Sequence, residues 1–199
     1  MNYLALDLEL NLDANGTPKK IIQVGVALGS DADNIKTYKW YVDPKEPIVP
    51  YITELTGITQ EDIGTKAVPL SQVAAELGAL IDEHQTFVNP VQWGTGDAME
   101  LLTEFKENNV AFPYFGNRTI DVKTLFVFLQ MAKGNSFKGG LRACMSKYKV
   151  YFKGEPHRAD IDAYNTLVFY FELMKRQAKI EEMIRNYEIF EQLSRAHFR

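Results

Sequence analysis

The run Tyr3-Leu4-Ala5-Leu6-Asp7-Leu8-Glu9-Leu10-Asn11 constrains this chain more than any other stretch, because it alternates like a strand and carries two carboxylates. With period two, Leu4, Leu6, Leu8 and Leu10 share one face, and Tyr3, Ala5, Asp7 and Glu9 share the other. Two like charges about 6 Å apart repel by roughly 3 kcal/mol at an effective dielectric of about 20. Asp7 and Glu9 therefore need water or a cation beside them. Taken alone, the pair fits a solvated strand face as well as a site.

Composition narrows the surroundings. A chain of 199 residues with 46% apolar content can fill the core of one fairly large domain without covalent staples. Cys144 is the single cysteine, which excludes an intrachain disulfide and a Cys-rich zinc site and suits a buried structural thiol. Met1 leads straight into a mixed strand with no signal-like stretch, and no run reaches membrane-spanning length, so a soluble cytoplasmic protein is expected, with no membrane partner. A net charge of −4 argues against coating duplex DNA by bulk electrostatics, but not against gripping a few nucleotides through metal ions.

Turn formers at Asp13-Ala14-Asn15-Gly16-Thr17-Pro18 separate the first run from a second β-rich run, Lys20 to Leu28, and predict a hairpin. Lys36 to Val42 alternates like a third strand, which makes the opening an antiparallel meander. Pro44 to Pro69 is loop-like, with a short helix from near Pro50 to Gly57. Ser71 is placed to cap a helix carrying Leu70, Val73, Leu77, Leu80 and Ile81. Short strands are expected at Thr86-Phe87-Val88 and Arg118-Thr119-Ile120, and helices at Ala98 to Asn108, after Asp121 as a cap, and at Leu141 to Tyr148. Ala159 to Phe198 reads as one or two long amphipathic helices, with a break allowed near Gln177 to Lys179. The fold class is therefore α/β, a mixed β-sheet flanked by helices, with the first strand central.

Several later acids could meet the Asp7 and Glu9 face. Asp97 ends Trp93-Gly94-Thr95-Gly96-Asp97 and opens a helix, so it serves either as an N-cap or as a carboxylate presented from the helix mouth. Trp93 suits the core or a stacked base. In His157-Arg158-Ala159-Asp160-Ile161-Asp162-Ala163, the two aspartates differ by about 200° around a helix, so at most one faces the sheet. Periodicity does not choose between them.

Asp7-Leu8-Glu9, the Trp93 to Asp97 segment with its following helix, and His157 to Ala163 together resemble the three ordered motifs of the DEDDh exonucleases. Lys20 to Gly25, Leu55-Thr56-Gly57-Ile58-Thr59 and Asp121 to Phe126 extend the similarity over roughly residues 2–170. The resemblance implies an RNase H-like fold and a 3′–5′ exonuclease that releases 5′-mononucleotides from single-stranded DNA or RNA with two divalent ions, Mg²⁺ or Mn²⁺. It selects Asp162, because the family pattern is His, four residues, then Asp-Ala, and leaves Asp160 as a surface or helix-start acid. It also makes Asp121 a helix cap and not a metal ligand. Many relatives carry Thr or Ser where this chain has Leu10.

The metal ligands implied are Asp7, Glu9, Asp97 and Asp162, an all-oxygen set that suits hard cations. Two such ions about 4 Å apart stabilise the attacking and leaving oxygens of an in-line displacement. His157 is implied as the base that takes the proton from water. Leu10, Trp93 and Thr56 are candidates for contacts to the terminal bases. Two other readings stand beside this one: oligoribonuclease-like degradation of very short RNA, and a noncatalytic nucleic-acid-binding scaffold. Residues 1–175 are expected to form the exonuclease domain, and residues 176–199 a helical extension packed on it or forming a homodimer.

Overall fold

A computed structural model of the protein describes residues 1–12, 19–131, 134–135 and 138–197, with the side chains of the last helix described through residue 178 and at 181, 182 and 185. Strands β1 (Tyr3–Asn11), β2 (Lys20–Gly29) and β3 (Ile35–Tyr41) form the expected antiparallel meander. The turn expected at residues 13–18 lies outside the described residues. Short strands β4 (Val91–Gln92) and β5 (Ile120–Asp121) add in parallel on the other side of β1, giving the order β3-β2-β1-β4-β5. β1 is therefore the central strand, paired on both edges.

Helices α1 (Pro50–Thr56) and α2 (Gln60–Lys66) lie over Ile22 and Tyr41 and enclose a small core with Ile48, Ile52, Ile58 and Ile63. Helices α3 (Leu70–His84) and α4 (Asp97–Glu107) cover the leucine face, where Leu4, Leu6 and Leu8 pack with Val24, Val26, Val73, Leu77, Leu101 and Phe105. Helices α5 (Val122–Met131), α6 (Leu141–Lys147) and α7 (Ala159–His197) cover the opposite face, where the strands contribute Ala5, Ala27 and Val91. Small strand residues let α7 lie close to the sheet, and its aromatic and aliphatic side chains supply the bulk: Phe169, Leu167 and Leu173 are fully buried. Cys144 belongs to this core, and burial pushes its thiol up to about 11, so it is a packing residue.

Several boundaries differ from expectation. α2 forms within the stretch where the sequence predicts a loop; a capping box, with Asp62 N–H donating to Thr59 Oγ1 and Thr59 N–H to the Asp62 carboxylate, starts it. Pro69, not Ser71, occupies the N-cap of α3, and Ser71 sits inside the first turn. Thr86-Phe87-Val88 makes only an isolated bridge from Thr86 to Asn2, and the strand forms at Val91–Gln92, where the chain runs beside Ala5. The Arg118-Thr119-Ile120 strand is displaced to Ile120–Asp121. α7 is continuous from Ala159 to His197, without a break at Gln177 to Lys179. Its packing reaches Arg176, which donates to the Tyr148 carbonyl at 2.6 Å and stacks 4.4 Å above the Tyr148 ring. Among the described residues no helix is long and apolar enough to cross a membrane.

Candidate active site

The β1–β2 register places Gly25 beside Asp7 and Gln23 beside Glu9. A Cβ on Gly25 would lie 2.0 Å from the carbonyl carbon of Ala159, so only glycine lets the start of α7 rest against the strand here. Gln23 is fully buried, and its Oε1 accepts the Ala159 N–H at 2.9 Å. That bond satisfies one of the orphan amides of the helix N-terminus and ties it to the sheet. Docked this way, the first turn of α7 turns Asp162 toward the acid pair and leaves Asp160 beside Lys39, with which it pairs at 3.0 Å.

His157 is exposed and sits at φ 63°, a left-handed conformation that closes the loop onto the helix. Its backbone N–H donates to Asp162 Oδ2 at 2.7 Å. One donor atom each from Glu9, His157 and Asp162 lie within 4.8 Å of one another. Asp7 raises the charge density from the neighbouring strand position.

Asp97 arrives from the other side of β1. Gln92 is buried; its Nε2 donates to the Gly94 carbonyl at 2.9 Å and its Oε1 accepts the Ala98 N–H at 3.2 Å, so it bridges the turn that carries Asp97. Asp121 accepts from the Gly94 N–H at 3.0 Å and the Thr124 N–H at 3.1 Å, which makes it both the expected cap of α5 and a brace for that turn. Gly94 and Gly96 have φ of 85° and 129°, which a side chain would resist. The N-cap of α4 is Gly96, and Asp97 is the first helical residue, so its carboxylate is not consumed as a cap.

Burial raises all four carboxyl pKa values, and repulsion from the other acids of the cluster adds to it for Asp7 and Glu9. Burial is the largest cause for Asp7, held well above the ordinary range, followed by the charges of Asp97, Glu9 and Asp162. Glu9 is pushed to about 8 by burial, then Asp162 and Asp97, with Arg158 opposing. Asp97 rises to about 6 through burial, offset in part by its own backbone N–H. Asp162 is raised by burial against the His157 N–H bond. These residues fit a divalent cation: the donors are carboxylate oxygens, they converge, and a positive charge relieves the repulsion among them.

Asp7, Glu9 and Asp162 line a cleft of about 760 Å³ together with Trp93, Arg142 and Phe152, and Asp97 is not among its lining residues. Trp93 is half-buried, with its ring centroid 6.1 Å from that of Phe169, so it both packs and faces the cleft. The structure does not bring Leu10 and Thr56 into this cleft. Leu10 packs against the leucine-face core, on the side of β1 away from Asp7 and Glu9. Thr56 is buried at the end of α1, where its hydroxyl donates to the Ile52 carbonyl at 2.7 Å and accepts the Ile58 N–H at 3.1 Å. Sequence reasoning did not single out Gln23, Gly25 and Gln92 as positioning residues; the signals were a glutamine and a glycine inside apolar strands, two of them within the Lys20 to Gly25 stretch that resembles the family.

The RNase T exonuclease family matches this chain over residues 4–170. The 3′-5′ exonuclease DinG of Bacillus subtilis (strain 168) is 21% identical over 174 residues, covering 87% of this chain and 18% of DinG. The chain thus spans about a fifth of the length of that curated relative. Among solved structures, cell-death related nuclease 4 (CRN-4) superposes with a TM-score of 0.76 at 19% identity, covering 88% of this chain and 64% of that one. The nuclease domain of 3′hExo, a DEDDh family member solved bound to rAMP, gives 0.70 at 17% identity, covering 89% and 92%. The mixed α/β fold is thereby the RNase H-like fold of these nucleases.

Proposed function

This chain belongs to the exonuclease family, of DEDDh type, and from that premise we propose that it is a 3′–5′ exonuclease acting on single-stranded DNA or RNA ends. The observation that carries this reading is the convergence of Glu9, His157 and Asp162 beside Asp7, with Asp97 close enough to raise the pKa of both strand acids. Asp7, Glu9, Asp97 and Asp162 would hold divalent cations, Mg²⁺ or Mn²⁺, which supply charge stabilisation for the attacking and leaving oxygens of a phosphodiester.

The protein's own residues supply the rest. His157, exposed at the cleft rim, accepts the proton of the attacking water as the new P–O bond forms. The P–O3′ bond breaks, the departing 3′ oxygen gains a proton, and the products are a 5′-mononucleotide and a strand shortened by one residue. The bond from the His157 N–H to Asp162 holds the base against the acid cluster, a positioning contribution that needs no further contact. Trp93 offers an aromatic face to a terminal base, a contact that tolerates sequence variation. The rAMP bound to 3′hExo supports a nucleotide in the corresponding cleft.

A time course on matched 5′-labelled single-stranded DNA and RNA with Mg²⁺ or Mn²⁺ tests the reading. A descending ladder is expected, with the preferred sugar and chain length read from the same gel. His157→Ala is expected to slow the reaction about 10²–10⁴-fold, and Asp162→Asn at least as much. Internal cuts without a ladder, or His157→Ala as active as wild type, would overturn it. We further propose residues 176–199 as a helical extension of a catalytic domain formed by residues 1–175. Sedimentation before and after truncation following Lys175 tests whether the extension carries a homodimer contact.

A further inference from the structure

Besides the carboxylates, the cleft is lined by the start of α6 and the segment after it. Arg142, exposed on the first turn of α6, and the half-buried Phe152 both line the cleft, and the guanidinium carbon lies 5.9 Å from the Phe152 ring centroid. Among the described residues Arg142 forms no ion pair with a carboxylate. Apart from His157, the other charged side chains lining the cleft are the acids Asp7, Glu9 and Asp162. The cleft is lined by groups of both signs, three carboxylates and a guanidinium placed near an aromatic ring.

A nucleic acid strand matches that arrangement. The phosphodiester to be cleaved belongs with the acids and their cations, and a cleft of about 760 Å³ encloses more than one phosphate group. The geometry points to Arg142, braced by Phe152, as the residue that grips a second, uncleaved phosphate of the strand and so sets affinity for substrates longer than the terminal nucleotide. The cation–π contact with Phe152 biases the rotamers of the long side chain while the N–H edges of its fork stay available for paired bonds to phosphate oxygens. The plainer role of such a residue is to cover Phe152 from water, which would affect stability and not substrate affinity.

This inference rests on the exonuclease reading above, and one experiment separates their failures. Steady-state kinetics on the 5′-labelled single strand that the wild type degrades are measured across a salt series for wild type, Arg142→Ala, Arg142→Lys and Phe152→Leu, with thermal unfolding alongside. Arg142→Ala is expected to raise KM at least about tenfold with kcat little changed. Its slope of log(1/KM) against log[salt] is expected to be shallower by about 0.7, the loss of one phosphate contact to a single strand. Arg142→Lys keeps the wild-type slope because the charge remains, and Phe152→Leu raises KM without changing the slope. An active wild type with unchanged KM and slope in Arg142→Ala overturns this inference alone, as does a lysine variant whose slope matches alanine. A wild type that degrades no strand in Mg²⁺ or Mn²⁺ overturns both.

Discussion

The two faces of the sheet are built on opposite terms. On one, Leu4, Leu6 and Leu8 fill the space below α3 and α4 with bulk, each buried leucine contributing about 1.5–3 kcal/mol. On the other, Ala5, Gly25 and Ala27 give up bulk so that α7 can approach, and the same strands carry Asp7 and Glu9 into the space that remains. The leucine face secures the fold, and the small-residue face spends packing and charge repulsion to assemble a site. Stability and function are thereby divided across the thickness of one strand, β1.

That division is open to breakage from either side. The largest loss of stability is expected on the leucine face: Leu6→Ala, at a fully buried position, should cost about 2–5 kcal/mol in urea unfolding while the folded fraction keeps its turnover. Turnover falling out of proportion to unfolding would show that the faces are not independent. Gly25→Ala should cost about 1–3 kcal/mol, because the methyl meets the Ala159 backbone and the helix start must move as a unit to admit it. Its turnover should fall further than its stability, since the shift carries His157 and Asp162 away from Glu9; equal losses in both would remove Gly25 from its positioning role.

The smallest effect expected is a pH dependence confined to the acid face. Glu9 rises from an ordinary 4.5 to about 8 and Asp97 from 3.8 to about 6, so through this window the folded state holds protons that the unfolded chain releases. Native stability from these groups is therefore full below about pH 4 and is lost as pH rises through the folded values. With chelator present, the unfolding temperature should fall between pH 6 and pH 8, and Mg²⁺ should flatten that fall by binding the ionised acids. A slope of the opposite sign would contradict the repulsive cluster.

Periodicity, turn residues and caps are short-range properties, and what depends on them was legible in the sequence. The three-stranded meander, the leucine face, the Pro50 helix closed by Gly57 at φ 69° and the Asp121 cap all appear where local chemistry placed them. The short strands at residues 91–92 and 120–121 were misplaced because two residues carry no period; their positions are set by pairing with Ala5 and with each other. Leu10 and Thr56, candidates for contacts to the terminal bases, lie elsewhere, because strand alternation turns Leu10 to the far face and the end of α1 consumes the Thr56 hydroxyl.

By itself the sequence determined that Asp7 and Glu9 share a face, that two later segments bear acids, and, through its family pattern, that Asp162 outranks Asp160. Only the tertiary structure decided how those acids meet. Periodicity left Asp160 and Asp162 equivalent; the docking of Ala159 against Gly25, 134 positions earlier, turns one to the cleft and the other to Lys39. That docking depends on a missing side chain and on a single register between strands, and neither leaves a periodic trace in the residues it joins.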